Sequence, residues 1–446
     1  MTAPDPSHAA VGWRPSPAQT GAALVAVVCL VAAFLFGRVE LVLIAAPLAV
    51  TALVDRARRP DDGADAAVRP VAATEPIGEA SRPTVVVAVE AEAAPGTRAD
   101  AVHLRLAAAD RPPFDVVLSL RAAARLRLEV AVGHSGPQRV LSVEARALGA
   151  DASWTGEPAG GGGDAVVERV VRPVPVHVRS LPLPARLLGL TGPHVSARPG
   201  DGGEFRDVDR YRAGDRLRRI DWKATARRAQ RPGELYVRRT TATSDAAVQL
   251  VIDARDDLPA EVADWAVPYP RPGIRSLDIA REAATSLASA YAAAGDRVGF
   301  DDLAAPSRAL PPRAGARHRH AVLRSIETTA ARGAVAERVR PPRLAPGALV
   351  YILSTFLDDQ PVRLALAWRA AGHRVIVVDV LPVPTTGGLA ERDRIALRLV
   401  SAERDVRFQR LAAAGAELLV WASADRDARL KRLAAPQRRA VSGRPA

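Results

Sequence analysis

The chain has 446 residues, more than a single hydrophobic core usually organises, so its length favours two or three domains. Its formal net charge of +13 favours an anionic partner or surface, and all but two of its 62 cationic residues are arginines, the exceptions being Lys223 and Lys431. Attraction to anionic lipid beside a membrane anchor accounts for this charge, so nucleic acid is not expected as a partner. Cys29 is the single cysteine, which excludes an intrachain disulfide and a multi-thiolate metal site.

Two uncharged apolar stretches, residues 20–36 and 41–54, follow an N-terminal tail of residues 1–19. Each is a little shorter than the ~20 residues that span a bilayer as a helix, but flanking interfacial residues can make up the difference. We predict two transmembrane helices within residues 20–56, with the chain reversing at Gly37. A cleaved signal peptide is the alternative.

The charges around these stretches predict their orientation. Three arginines follow the second stretch, at positions 56, 58 and 59, whereas the connector balances Arg38 with Glu40. The positive-inside bias therefore places both ends in the cytoplasm. We expect a two-pass protein of the inner or plasma membrane with the bulk of the chain cytoplasmic.

The next segment changes from linker composition to strand periodicity. Residues 57–82 are rich in Pro, Asp, Ala and Gly without a sustained period, which predicts a linker. Residues 83–180 alternate apolar and polar side chains, which indicates half-buried antiparallel strands and an all-β, sandwich-like domain. The alternating apolar positions are Val102, Leu104 and Leu106; Phe114, Val116, Leu118 and Leu120; Leu126, Leu128 and Val130; and Val174, Val176 and Val178.

Residues 246–433 alternate fully apolar strands with amphipathic helices. Strands are predicted at 248–253, 297–300, 349–354, 374–380 and 417–423, with helices at 276–295, 317–331, 361–372 and 388–414. Strands that are apolar throughout belong to a parallel sheet covered on both faces, so we predict a doubly wound α/β domain. The Arg- and Pro-rich residues 434–446 predict a disordered basic tail.

Between these domains, residues 181–245 contain the densely charged stretch GGEFRDVDRYRAGDRLRRIDWKATARR, residues 202–228. This stretch resembles the signature of the bacterial domain-of-unknown-function-58 family. The matching positions are Glu204, Phe205, Tyr211, Gly214, Asp215, Arg219, Ile220, Asp221, Trp222, Lys223, Ala224, Ala226 and Arg227. The order of parts is also similar: paired membrane helices, a β-rich segment, the motif, and a domain similar to the von Willebrand factor A fold.

Two interpretations of this stretch stay open. Gly214 followed by Asp215 is a turn signal, and a reversal there would bring Tyr211 toward Trp222. The surrounding arginines would then clamp the turn through bidentate pairs with Asp209, Asp215 and Asp221, and lay their stems over the indole. The alternative is a metal-dependent nuclease site built from Asp221, Lys223 and Asp215.

The von Willebrand factor A fold, which the resemblance implies, often binds Mg²⁺ through D-x-S-x-S and a distant Thr and Asp. Here the first predicted strand ends in Asp253-Ala254-Arg255-Asp256-Asp257, and a guanidinium at the position of the first serine repels a cation. Ser354 is followed by Thr355, where the family commonly has S-D. We expect a degenerate site at Asp253, Arg255, Asp257 and Thr355, with no cofactor and with Arg255 paired to Asp253. A rearranged Mg²⁺ site drawing on Asp257, Asp358 or Asp359 is the alternative.

The sequence lacks a Gly-x-Ser-x-Gly elbow, a phosphate-binding loop, an H-E-x-x-H motif and a cysteine nucleophile outside the apolar segment, so it favours a binding module over an enzyme. The resemblance implies a MoxR-type AAA+ ATPase and other membrane proteins as partners, in assembly or envelope maintenance. We expect a membrane-anchored cytoplasmic scaffold. A metal-dependent hydrolase or nuclease that uses Asp221-Trp222-Lys223 is the alternative. A structural role in the envelope would require the β-rich domain outside the membrane, against the charge bias.

Overall fold

The computed structural model describes residues 13–59, 66–71, 84–93, 99–120, 124–149, 152–156, 165–188, 192–266, 273–333, 338 and 341–435. The chain divides into two compact units. The first consists of Met1–Gly133 and Gln138–Arg169, and the second of His134–Pro137 and Val170–Ala446. The predicted tail, residues 434–446, lies outside the described residues from position 436 onward.

The first unit begins with two consecutive helices, α1 (Pro17–Phe36) and α2 (Val39–Ala57). Ser16 caps α1 by accepting a hydrogen bond from the Gln19 N–H at 3.2 Å, and Gly37 ends it in the left-handed conformation with φ 62°. Within the described residues, α1 is the one helix long and apolar enough to cross a membrane. The uncharged part of α2 is only 14 residues long, residues 41–54.

The rest of the first unit is β-structure in two sheets. Its strands are β1 (Trp13–Pro15), β2 (Ala66–Val71), β3 (Thr84–Ala93), β4 (Ala101–Ala108), β5 (Phe114–Ser119), β6 (Ala124–Ala131), β7 (Gly136–Leu148), β8 (Trp154–Gly156) and β9 (Ala165–Val171). One sheet has the order β1-β8-β7-β4-β5 with β9 paired to β7, and the other has the order β2-β3-β6. Strand β2 lies inside the segment predicted as a linker.

The two sheets share one apolar core. Val87 and Val89 of β3 are fully buried and belong to the same cluster as Leu104 and Leu106 of β4. The predicted alternation is present in β4, where His103 and Arg105 separate buried side chains and are themselves more exposed. The alternation at residues 174–178 wrongly predicted a strand, because the structure has no strand in that segment. Val178 instead packs in the core of the second unit.

The second unit contains a long two-stranded ladder and a six-stranded sheet with helices. Its elements are β10 (His194–Arg210), α3 (Trp222–Arg228), β11 (Tyr236–Ser244), β12 (Ala247–Ile252), α4 (Ser276–Ala293), β13 (Arg297–Asp302), β14 (Leu310–Arg313), α5 (Ala316–Glu327), β15 (Leu349–Ser354), α6 (Gln360–Ala370), β16 (Arg374–Asp379), α7 (Glu391–Ala413), β17 (Glu417–Val420) and α8 (Arg426–Ala434). The predicted mixed α/β character is confirmed.

The sheet order is β14-β13-β12-β15-β16-β17, with neighbouring strands parallel except for β14. The edge strand β14 was not predicted, and its two prolines are tolerated because an edge strand leaves one row of N–H groups unpaired. Alternate residues of the central strands enter two separate cores. Leu250 and Tyr351 pack with α4 on one face, whereas Val251 and Ile352 pack with α6 on the other.

Candidate functional site

The family signature forms an excursion between the paired strands β10 and β11. The ladder ends with Arg210 opposite Tyr236, and the chain then leaves it at Tyr211. It returns at Ile220, which bridges to Val237, and at Asp221, whose N–H donates to the Tyr236 carbonyl at 2.8 Å. We call residues 211–235 the signature excursion.

An arginine outside the predicted motif holds the two acidic residues at the base of the excursion. Arg239 of β11 donates from Nη1 to Asp209 Oδ2 at 2.7 Å and from Nη2 to Asp215 Oδ2 at 3.4 Å. Its Nη2 also donates to the Arg210 carbonyl at 3.2 Å. The Arg239 side chain is only 18% exposed, so these bonds are shielded from water more than ordinary surface pairs. A guanidinium clamp on Asp209 and Asp215 is therefore present, but its central arginine comes from β11 and not from the predicted motif.

Further bonds fix the turn itself. Asp215 Oδ2 accepts from the backbone N–H of Arg212 at 2.9 Å, and Gly214 adopts φ 102°, which favours glycine. The Arg210 N–H, followed by the charges of Arg239 and Arg212, lowers the pKa of Asp209. Both aspartates therefore serve the turn.

Asp221 and the helix that follows it are arranged differently from both sequence interpretations. Asp221 Oδ1 accepts from the Ala224 N–H at 2.9 Å and caps α3. Thr225 Oγ1 accepts from the Tyr236 N–H at 2.9 Å, which fixes one face of α3 against β11. The Asp221 and Asp215 carboxylates therefore each accept a local backbone bond, at the start of α3 and in the turn.

The aromatic part of the predicted clamp is not formed. Trp222 is 68% exposed, and no described arginine lies over its indole. Arg238 instead lies over the ring of Phe205, with its Cζ 5.0 Å from the centroid. Helix α3 has only seven residues, and the face that carries Thr225 lies against β11. Trp222 lies on another face and points outward.

The remaining motif residues divide between the turn and the surface. Lys223 and Arg227 are exposed on α3, and Tyr211 and Arg219 are half-buried. The side chain of Glu204 lies outside the described part of the chain. From residue 205 to residue 239 there are twelve cationic and five acidic residues, a net formal charge of +7. More than half of the net charge of the whole chain is thus concentrated here.

The second candidate site lies at the carboxyl end of the central strands, where ligands bind in open α/β sheets. Asp253 follows β12 and its side chain is 5% exposed. Arg255 donates to its two carboxylate oxygens, from Nε at 2.8 Å and from Nη2 at 2.7 Å. Ser354, at the end of the neighbouring β15, donates from Oγ to Asp253 Oδ2 at 2.8 Å. On its other side Arg255 contacts Asp358, with Nη1 2.9 Å from Oδ2.

The other residues of the predicted degenerate site are used elsewhere. Asp257 accepts from Arg275 Nη1 at 3.0 Å and from the Leu277 N–H at 3.2 Å, at the start of α4. The buried Thr355 contributes its carbonyl, which accepts from Arg404 Nε at 2.7 Å. Arg404 comes from α7 and also pairs with Asp379 at the end of β16. Burial raises the pKa of Asp379, although the charge of Arg404 opposes the shift.

These residues do not fit a divalent cation. The guanidinium occupies both oxygens of Asp253, and Asp257 faces α4 rather than Asp253. Throughout the part of the chain that the structure describes, no group of three or more His, Cys, Asp or Glu side chains is placed to hold a metal ion. Arg255 is fixed in its charged state, because bonds to Asp253 and Asp358 outweigh burial and raise its pKa.

The fold and these two sites define a mixed α/β domain that is entered through an arginine-rich excursion of a two-stranded ladder. Residues 207–410 carry a domain of the family described as "Protein of unknown function DUF58", which confirms the resemblance for that part of the chain. The matched range runs from β10 into α7 and includes both sites.

The chain is also similar to uncharacterized proteins of Mycobacterium bovis and of two strains of Mycobacterium tuberculosis. Each is 31% identical over 202 residues, which is 43% of this chain and 59% of the relative. The chain therefore matches little more than half the length of these curated relatives. No solved structure matches it.

Proposed function

We propose that the protein is a membrane-anchored scaffold that binds a partner protein through the outward face of its signature excursion. The observation that carries this proposal is the exposure of apolar side chains within the most cationic part of the chain. Trp222 is 68% exposed and Leu217 is 66% exposed, and Lys223 and Arg227 are exposed on the same short helix as the indole. Tryptophan and arginine dominate the energetics of protein interfaces, so this surface suits a contact with a partner.

The charge pattern favours a protein with acidic groups over a uniformly anionic lipid surface. Asp207 and Asp209 keep side-chain exposures of 43% and 40% within the cationic surface, and anionic headgroups would repel both. A partner protein can set carboxylates against the arginines and leave cationic or neutral groups against the aspartates.

Lys223 is a further argument for a specific contact. It is one of two lysines among 62 cationic residues, so an ammonium group stands here in a chain that uses arginine almost everywhere else. An ammonium is a compact point charge with three rotatable donors, whereas a guanidinium is a planar group whose N–H donors have fixed directions. We infer that the partner presents a carboxylate close to Trp222.

The anchor of the scaffold is α1 together with α2. Apolar side chains are exposed on both helices, among them Leu24 and Phe34 on α1 and Leu43 and Leu53 on α2. Such surface is stabilised in lipid and not in water. The 14 uncharged residues of α2 extend ~21 Å as a helix, so they reach across a bilayer only with help from flanking residues. We therefore keep the two-pass arrangement, with the bulk of the chain cytoplasmic, as part of the proposal.

The sheet order supports a von Willebrand factor A-like domain, since that resemblance implies a doubly wound parallel sheet and five of the six strands here are parallel to their neighbours in the order β13-β12-β15-β16-β17. The same resemblance suggests a MoxR-type AAA+ ATPase as the partner. In this proposal the domain acts by contact, without a metal or another cofactor.

The proposal is tested by measuring how the full chain in lipid nanodiscs binds the purified MoxR-type ATPase of its own organism. We expect Trp222→Ala and Lys223→Glu each to weaken binding at least tenfold, or by ~1.4 kcal/mol. The matched controls are Ile274→Ala, which removes another exposed apolar side chain, and Lys431→Glu, which reverses the only other lysine. Equal loss in the controls contradicts the docking surface. No binding by the wild-type chain contradicts the choice of partner.

A further inference from the structure

Helix α7 (Glu391–Ala413) carries two different apolar faces. Its inner face packs on the sheet domain through side chains spaced three or four residues apart, which are Leu397, Val400, Arg404, Phe408 and Leu411. Leu411 is 1% exposed, and the Phe408 ring lies 5.3 Å from that of Phe356. This face holds the helix on the sheet domain. It does not explain the apolar residues on the opposite, exposed face.

The outer face has apolar residues at the spacing of a coiled coil. Ile395 is 53% exposed, Leu399 63% and Val406 53%, and the small Ala402 between them is also exposed. The intervals are four, three and four residues, which is the alternation of d and a positions in a heptad repeat. The row extends ~17 Å along the helix. Arg392 and Gln409 occupy the next positions of the repeat and limit it to four layers.

A row of apolar side chains on the exposed face of a helix gains nothing from contact with water. Single exposed apolar residues are ordinary, but a continuous row on one face marks a surface that is buried in an assembly. The charged residues beside the row indicate what covers it. Assigning Ile395 to d and Leu399 to a places Arg398 and Asp405 at g, and Glu403 and Arg410 at e.

We propose that this face of α7 pairs with the same face of a second copy of the chain, as a parallel two-helix coiled coil. In a parallel pair each g residue faces the e residue five positions later on the partner. Arg398 then meets Glu403 of the second copy, and Asp405 meets Arg410, so each of these four residues finds an opposite charge, whereas Glu391 at the preceding g position faces Ala396. By symmetry the pair contains each of these contacts twice.

The alternatives fit less well. An antiparallel pair sets Arg398 against Asp405 of the second copy but leaves Glu403 against Ala396, so half of the complementary contacts are lost. Among the described residues, the contacts of these side chains within one chain are long: Arg398 with Glu391, Glu403 with Arg407 and Arg410 with Asp359, each at 3.5 Å. Pairs of this kind contribute little, so exchanging them for contacts across the interface costs little.

Four core layers make a small interface, below the ~1,200 Å² of a standard one, so the dimer is expected to be weak. Anchoring in a membrane, as in the proposed function, concentrates the copies and strengthens such a contact. The pairing itself uses none of the signature excursion, so it stands or falls independently of the partner protein.

Cysteine crosslinking of the full chain in lipid vesicles tests the pairing, because the natural Cys29 can be replaced by Ser. In this background Ala402→Cys lies at the interface, and Ser401→Cys is an equally exposed neighbour on the same helix that points away from it. We expect mild oxidation to crosslink Ala402→Cys and to leave Ser401→Cys monomeric. Absence of crosslinking at both positions, or equal crosslinking at both, would overturn the proposal.

Charge exchange tests the orientation. Arg398→Glu is expected to lower the crosslinked fraction of Ala402→Cys roughly fivefold, because two attractive contacts become repulsive. Adding Glu403→Arg to the same chain is expected to restore it, since each copy then offers the reversed pair. Rescue by Asp405→Arg instead of Glu403→Arg would overturn the parallel arrangement. Leu399→Asp is expected to abolish crosslinking, and retention of the crosslink in that variant would overturn the apolar interface.

Discussion

Arg255 is bonded to both carboxylate oxygens of Asp253, through Nε at 2.8 Å and Nη2 at 2.7 Å, at the end of the first strand of the parallel sheet. Its remaining side faces Asp358, which is 41% exposed. A guanidinium thus draws together two carboxylates that would otherwise repel each other. A third, Asp256, is half-buried beside them, and burial followed by the charges of Asp253 and Asp358 raises its pKa. The single positive charge of Arg255 therefore offsets the electrostatic repulsion among these acidic side chains.

Replacing Arg255 by Ser is predicted to destabilise the chain and to create affinity for a hard cation. Loss of one partner of a buried ion pair costs ~3–5 kcal/mol, because the Asp253 charge is left uncompensated. Serine adds a hydroxyl near Asp253, Ser354 and Asp358, whose side chains are oxygen ligands of the type that Mg²⁺ prefers. Calorimetry of the full chain in detergent with Mg²⁺ and Mn²⁺ is expected to show binding to Arg255→Ser and none to the wild type.

The control for this prediction is the double variant Asp253→Asn with Arg255→Ser, which removes the central carboxylate and is expected to lose the gained affinity. Micromolar binding of Mn²⁺ by the wild-type chain would contradict the view that Arg255 takes the place of a cation. A thermal midpoint of Arg255→Ser that rises on adding Mg²⁺ gives an independent readout, since a ligand bound only to the folded state stabilises it.

The sequence predicted the pair of Arg255 and Asp253 because the two residues are only two positions apart, directly after an unmistakably apolar strand. The strands of the sheet were equally accessible, and residues 349–354 form a strand with the predicted bounds. Arg239 and Arg404 were missed for the opposite reason. Each reaches its carboxylate from a distant element, β11 for Asp209 and α7 for Asp379, and nothing in a local pattern reports such a contact.

Local pattern also misled where packing decides the outcome. The alternation at residues 174–178 has the period of a strand, yet Val178 enters the core beside α4, and no neighbouring strand bonds the segment. The exposure of Trp222 could not be predicted either, because it depends on which face of α3 the Thr225 hydroxyl fixes to β11. Tertiary contacts overrode the local reading in both cases.

Replacing Arg239 by Gln is predicted to loosen the signature excursion without unfolding the sheet domain. The change removes the charge-assisted bonds to Asp209 and Asp215 that hold the base of the excursion. The Arg212 N–H donates a hydrogen bond to Asp215, and its hydrogen exchange is expected to accelerate at least tenfold. Arg238→Gln is the matched control, because Arg238 is exposed and lies over Phe205. Equal acceleration in both variants would contradict a clamp centred on Arg239.

Two fully buried tyrosines give a prediction about the core of the sheet domain. Tyr291 donates to the Pro182 carbonyl at 2.6 Å, so the Tyr351 hydroxyl, 2.8 Å away, donates to Tyr291. Tyr351→Phe removes one hydrogen bond and is predicted to cost ~1 kcal/mol. Tyr291→Phe leaves both the Pro182 carbonyl and the Tyr351 hydroxyl without their partner and is predicted to cost ~2–3 kcal/mol. Thermal unfolding of the full chain in detergent checks the order, and an equal or reversed effect would contradict the assigned direction of donation.

Asp278 of α4 is predicted to stabilise the second unit in a pH-dependent way. Its oxygens accept from His134 Nδ1 and the Ser135 N–H, both at 2.8 Å, and from the Arg275 N–H at 3.1 Å. Burial alone would raise the pKa of Asp278, but the hydrogen bond and charge of His134, with the two backbone bonds, outweigh it and lower the pKa below its ordinary 3.8. A lowered pKa in the folded state means stability that is fully present above pH 3.8 and is lost as the pH falls through the folded value.

The thermal midpoint of Asp278→Asn is therefore expected to lie below that of the wild type at pH 7, by an amount that shrinks as the pH falls below 3.8. Asp302→Asn is the matched contrast, because burial raises the pKa of Asp302 above 3.8 despite the Ala304 N–H and Arg308. Because the pKa of Asp302 is raised in the folded state, wild-type stability falls as the pH rises from 3.8 through that raised value. The thermal midpoint of Asp302→Asn is therefore expected to rise relative to that of the wild type over this range. Two midpoint differences that change with pH in opposite directions cannot arise from a general loss of packing. Parallel curves for the two variants would contradict both assignments.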